Sequence, residues 1–116
     1  MARSREPFFW ALFSGGGTLA ALFFPALAIV LWFALPLGWV ELPSYGELVA
    51  RLGHPLVRLG LFALVATALF HWGHRFRYTL YDGLQLKHLT ALIAVLCYGT
   101  AFIGSAMAGY TLWTLR

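Results

Sequence analysis

The stretch from Leu12 to Leu35, LFSGGGTLAALFFPALAIVLWFAL, decides the fold, because 24 consecutive positions carry no ionisable side chain. Wound as an α-helix at 1.5 Å per residue it would measure about 36 Å, enough to cross the roughly 30 Å hydrocarbon core of a bilayer with some tilt. The residues before it form an interfacial entry: Arg3, Arg5 and Glu6, then Pro7, then the aromatic step Phe8-Phe9-Trp10. Its apolar length exceeds the short core of a removable signal peptide, so it is expected to remain as an anchor. Within it, Pro25 removes one backbone donor and is expected to bend the helix, which membrane helices tolerate. Gly16 with Ala20, and Gly17 with Ala21, give the small-xxx-small spacing that lets a neighbouring backbone come close.

Outward from this segment, Pro36-Leu37-Gly38-Trp39 closes the span. Val40 to His54 is a polar stretch holding Glu41, Pro43, Glu47 and Arg51, with a Ser44-Tyr45-Gly46 turn signal and an expected short interfacial helix. A second apolar run follows from Pro55 to about Trp72, with Arg58 near its start, where a long side chain reaches the headgroups. After a polar segment from His74 to His88, a third run from Leu89 to about Leu112 has no charge. The sequence therefore predicts one all-α membrane domain of three transmembrane helices, at approximately 12–36, 55–75 and 89–113. Gly104 with Ala108 and Ser105 with Gly109 repeat the small-residue spacing in the third span, which is expected to pack tightly against a neighbour supplied by another polypeptide.

Composition excludes a soluble globule. The 116 residues are 61% hydrophobic and 10% charged, against roughly half and one quarter in a typical soluble domain, so a water-exposed surface would be left with bare apolar patches. Little chain remains for an extramembrane domain, and any catalytic machinery in water belongs to a partner. The net charge of +4 does not indicate nucleic acid, because the eight basic residues are scattered between the spans instead of forming a stripe. They read as topology signals. Arg3, Arg5, Arg75, Arg77 and Lys87 fall on one side, and Arg51, Arg58 and Arg116 on the other, which predicts a cytoplasmic N-terminus. The lone Cys97 permits neither an intramolecular disulfide nor a cysteine metal cluster.

Polar residues at membrane depth are costly, which directs attention to His71-Trp72-Gly73-His74-Arg75-Phe76-Arg77-Tyr78 at the end of span two. On a helix, His71 and Arg75 share one row and His74 and Tyr78 an adjoining one, and with Trp10 they would line an amphipathic pocket. A quinone needs such a pocket: an apolar groove for its tail, and donors that hold each carbonyl and pass protons. Imidazole titrates near neutrality, guanidinium stabilises negative charge developing on a quinone oxygen, and indole adds a flat wall with one N–H. The competing reading is that His74, Arg75 and Arg77 anchor a helix end and bind anionic lipid.

The order of features along the chain separates these readings. Glu6-Pro7-Phe8-Phe9-Trp10-Ala11-Leu12-Phe13-Ser14-Gly15-Gly16-Gly17, then Pro25, then Leu35-Pro36-Leu37-Gly38, resembles the D-type subunit of bacterial fumarate reductases, a small membrane anchor. Ser44-Tyr45, Arg58, the pair His74-Arg75 and Asp82 continue the resemblance over nearly the whole chain. It implies a heterotetramer in the bacterial inner membrane, in which a flavoprotein and an iron–sulfur subunit reduce fumarate. Two anchors, of C type and D type, hold them to the membrane and pass electrons from menaquinol. The resemblance also implies a quinol pocket drawing Trp10, Phe13, His74 and Arg75 from this chain and its other ligands from the C-type anchor.

Four positions depart from the family pattern. Ser14 stands where glycine is common beside the pocket, and Tyr78 and Tyr81 stand where relatives can have histidine. His71 lies eleven residues before Asp82, a spacing similar to that between haem ligand and aspartate in succinate dehydrogenase anchors. It is the candidate axial ligand should the complex hold haem b, although this kind of fumarate reductase carries none and a helical histidine more often bonds a neighbouring helix. His54 and His88 read as ordinary interfacial residues. A transporter or channel component is poorly supported, since spans one and three carry no ionisable residue at depth and no inverted repeat or broken-helix pair appears.

Overall fold

The computed structural model describes residues 4–116, so Arg3, counted above among the topology signals, lies outside the described residues. Helix α1, Glu6–Ile29, opens with Pro7 in its first turn, where the missing N–H has no intrahelical partner to lose, and with Glu6 beside the positive end of the helix dipole. Pro25 sits inside it, and shortly afterwards the helix widens into a π turn, Val30–Ala34. Leu35 N–H there donates to the Val30 carbonyl at 2.9 Å, five residues back. The chain leaves this helix through Gly38, whose φ of +72° lies in the left-handed region that glycine enters without cost.

Helix α2, Tyr45–Leu52, is the short helix expected in the polar segment. Ser44 is more than a turn signal: its hydroxyl accepts the Glu47 N–H while the Glu47 carboxylate accepts the Ser44 N–H at 2.9 Å, a reciprocal capping box. Helix α3, Pro55–Tyr78, starts under His54, whose Nδ1 accepts the Leu56 N–H at 3.2 Å, so this histidine is a cap. It too ends in a π turn, Thr79–Gly83. A short 3-10 turn, Lys87–Leu89, leads into helix α4, Thr90–Thr114. Counting the two π turns and the 3-10 turn, the three long helices run 29, 29 and 28 residues, each about 42 to 44 Å. They exceed the hydrocarbon core because their ends continue into the headgroup layer.

α3 is central and packs against both α1 and α4. The close approaches occur where side chains are missing. A β-carbon on Gly16 would fall 2.5 Å from the Thr67 carbonyl oxygen, and one on Gly73 would fall 3.1 Å from that of Cys97. Gly104 and Gly109 of α4 lie against Leu69 and Phe62 of α3, so the neighbour met by the small residues of the third span is a helix of the same chain. Along this seam Ile93, Cys97, Ala101 and Ser105 are buried, and the Ser105 hydroxyl returns to its own helix by donating to the Ala101 carbonyl at 2.7 Å.

Elsewhere the surface is greasy. Trp32 is 73% exposed and Phe102 69% exposed, which only a lipid or protein environment accommodates. This is a multi-pass membrane protein, all helical over the described residues. At the end opposite the N-terminus, Arg58 does more than reach for headgroups. Its Nε donates to the Leu52 carbonyl and its guanidinium NH2 group to the Leu115 carbonyl, both at 3.2 Å, tying the ends of α2 and α4 to the start of α3.

Candidate functional site

The first turns of α1, the last turns of α3 and the first half of α4 meet at one end of the bundle. Between them lies a cleft of about 580 Å³, within the range of small-molecule sites. Its walls include Phe9, Trp10 and Phe13 from α1, Phe70, His71 and His74 from α3, and Tyr98 from α4. The lining is aromatic and aliphatic with a few polar tips, and Glu6 supplies its one carboxylate.

Phe13 is the hub of this arrangement. Its ring meets Trp10 edge-on at 5.8 Å between centroids, stacks on His71 at 4.3 Å, and meets His74 edge-on at 4.8 Å. Such contacts hold the rings in fixed relative orientations. The Phe13 carbonyl oxygen also lies 2.9 Å from His71 Nδ1. Gly17, one turn further on, lies against the same imidazole, and a β-carbon there would collide with its Cε1. His71 is thus a contact between α1 and α3, packed under Phe13 and against Gly17. His74 Nδ1 lies 2.7 Å from the Tyr98 hydroxyl, a bond between α3 and α4.

Of the residues expected to gather here, Trp10, Phe13 and His74 line the cleft, as does His71. Arg75 does not: it is exposed on the flank of α3 next to His74. Ser14 is also exposed, and its carbonyl accepts the Thr18 hydroxyl at 2.9 Å. The arginine drawn inward is Arg77, whose guanidinium carbon sits 4.7, 5.8 and 5.2 Å from the ring centroids of Tyr78, Tyr81 and Tyr98. An aromatic cage of this kind holds a cation at membrane depth without a carboxylate. Its guanidinium NH2 group donates to the Tyr78 hydroxyl at 3.0 Å, whereas its Nε is enclosed with no partner among the described residues. Tyr81, buried, donates to the Thr90 carbonyl at 3.0 Å and pins the second loop to α4.

Sequence reasoning missed Tyr98 and the inward turn of Arg77. Tyr98 stands alone in an apolar run, and only its helical phase relative to Cys97 and Ala101, which face α3, signals that it borders the cleft. Chemically, the assembled groups offer a flat apolar slot, an indole N–H donor at Trp10, and an imidazole whose Nε2 is engaged by no described residue. The cations gather in the last turns of α3, where the negative end of the helix dipole favours them. No cluster of three or more metal-ligating side chains occurs among the described residues.

Residues 1–113 match the family model described as the fumarate reductase D subunit. Proteins named as this D subunit from Mycobacterium bovis and Mycobacterium tuberculosis are 48% identical over 113 residues, covering 97% of this chain and 90% of theirs. The protein of the same name from Photobacterium profundum is 34% identical over 109 residues, covering 91% of this chain and 88% of its own. No solved structure matches the chain. A family match over nearly its whole length, on three helices built to span a bilayer, makes this chain a member of the fumarate reductase D-subunit family.

Proposed function

We propose that this chain is a membrane-anchor subunit of a fumarate reductase in the bacterial inner membrane. In this reading it sits beside the C-type anchor, docks the flavoprotein and iron–sulfur subunits on its N-terminal side, and contributes part of a menaquinol oxidation site. The observation that carries the reading is the convergence of Trp10, Phe13 and His74, distant in sequence, on one aromatic cleft at a membrane-facing end. Trp10 and Phe13 form the slot for a flat quinol ring, and the Trp10 indole N–H holds one ring oxygen. His74 takes one of the two protons released when the quinol is oxidised, the other leaves to water at the cleft mouth, and the two electrons pass to the iron–sulfur subunit. Arg75, exposed beside His74, supplies positive charge at the rim, where a docked partner would cover it. The cytoplasmic N-terminus follows from the basic residues, with Arg5, Arg75, Arg77 and Lys87 at the cleft end.

The test uses the purified heterotetramer. His74→Ala and Arg75→Leu should each lower menaquinol-driven fumarate reduction by roughly 100-fold or more, while fumarate reduction driven by a reduced viologen, which bypasses the anchor, stays at the wild-type rate. Unchanged quinol-driven rates in both variants would refute the site. Equal loss of both activities would mean failed assembly.

Haem b fits this chain poorly. Phe13 stacks on the His71 imidazole and Gly17 packs against its Cε1 and Nε2, crowding the nitrogen an iron would take, and every other histidine described is a cap, a cleft residue or a surface residue. The proposal is that His71 joins helices and binds no iron. The dithionite-reduced complex should then lack an α band, and a Soret band lost in His71→Leu would make this residue an axial ligand.

A further inference from the structure

We infer that Tyr98 is a positioning residue for His74, and that its hydroxyl lets the neutral His74 ring carry its hydrogen on either nitrogen, which the carbonyl bonded to His71 does not allow. The inference rests on the reading of the cleft as a quinol site.

The two histidines are both bonded through Nδ1, but to different kinds of oxygen. His71 faces the Phe13 carbonyl at 2.9 Å. A carbonyl only accepts, so His71 Nδ1 must keep its hydrogen in every state. His74 faces the Tyr98 hydroxyl at 2.7 Å. A hydroxyl both donates and accepts, and rotation about its C–O bond exchanges the two roles. With Nδ1–H donating to the Tyr98 oxygen, Nε2 presents a lone pair to the cleft. With the Tyr98 O–H donating to Nδ1, Nε2 carries the hydrogen.

Both forms are useful to one reaction. When quinol is oxidised, one of its two O–H protons forms a bond to the Nε2 lone pair, giving an imidazolium whose Nδ1–H stays bonded to Tyr98, and the second O–H proton leaves to water at the open side of the cleft. The electrons leave for the iron–sulfur subunit of the proposed complex. In the reverse direction Nε2–H delivers the proton to a quinone oxygen. Tyr98 is bonded to the ring throughout, so the imidazole does not have to turn. The groups facing His74 are His71, Arg75, Arg77 and Tyr78 on its own helix, Tyr81 beyond it, Tyr98 on α4 and Glu6 from α1. Among these, Tyr98 alone bonds a nitrogen of the His74 ring.

The experiment compares three forms of the intact heterotetramer, with turnover driven by a menaquinol analogue across pH and by a reduced viologen. His74→Ala tests the site itself. Tyr98→Phe removes only the hydroxyl and is expected to lower quinol-driven kcat roughly 10- to 100-fold, to move a limb of its pH profile, and to spare the viologen rate. Incorporating 2,3-difluorotyrosine at position 98 keeps shape and hydroxyl but makes the phenol more acidic, and should displace the same limb even if Tyr98→Phe fails to assemble. A quinol-dead His74→Ala beside a Tyr98→Phe with wild-type kcat and pH profile would overturn the role of Tyr98 and leave the site standing. So would an unmoved limb with the fluorinated residue, or a slower Tyr98→Phe with an unmoved profile, which would mark a merely structural contact. An active His74→Ala would overturn the site, and this inference with it.

Discussion

At the scale of single residues, the absence of a side chain does as much as its presence. Gly15, Gly16 and Gly17 look alike in the sequence, yet a β-carbon meets nothing within 4 Å at Gly15, the Thr67 carbonyl oxygen at 2.5 Å at Gly16, and the His71 ring at Gly17. Gly16→Ala forces α1 and α3 apart and should cost about 1 to 3 kcal/mol, seen as a lower temperature of heat dissociation of the purified complex. Gly15→Ala, with open space around it and a better helix former in place, should change that temperature little. The triplet was legible as a packing signal, but which glycine is indispensable depends on the rotation of α1 against α3, which no local pattern encodes. Arg75 and Arg77 pose the same problem. Both are arginines two positions apart, and Arg77 is the one caged because Tyr98 arrives from another helix.

At the scale of elements, the long helices were legible because 24 uncharged positions admit little else, and the short α2 because the polar segment is long enough to need structure of its own. Hydropathy marks the hydrocarbon portion and not the helix, so α1 begins at Glu6 and the second long helix continues to Gly83, where the backbone is still hydrogen-bonded amid headgroups. The two π turns left no trace in the sequence, since a wide turn alters hydrogen-bond register without demanding particular side chains. The capping box at α2 was written out as Ser44-x-x-Glu47 and carries its own expectation. Ser44→Ala should speed hydrogen exchange of the α2 amides roughly fivefold. The Ser44 hydroxyl and N–H bonds hold the Glu47 carboxyl below its usual range. A carboxylate with a depressed folded pKa stabilises the fold above its ordinary titration range and loses that contribution as pH falls through the depressed value. Protection of α2 should therefore be constant at neutral pH and fall only in acid, below where a free glutamate titrates.

At the scale of the whole molecule, the cleft and the Arg58 tie lie at opposite ends of the three helices, so in the proposed complex the orientation of the chain decides which face of the membrane receives the soluble subunits. The basic residues at the cleft end predict that alkaline phosphatase fused after Arg116 is active and that the same reporter in the loop after Gly83 is silent; the reverse pattern would turn the protein over. The layering has a larger consequence. With α3 between α1 and α4, and no large side chain fully enclosed among the described residues, the chain is a slab with two sides, and its burial is confined to the seams between helices. A ligand against Trp10 and His74 is walled by α1, α3 and α4 and open on the remaining side, which in the proposed complex a neighbouring subunit covers. If the proposed function holds, affinity for quinol is a property of a seam: it should be negligible for this polypeptide alone in a detergent micelle, and emerge in a single step when its companion closes over the slot.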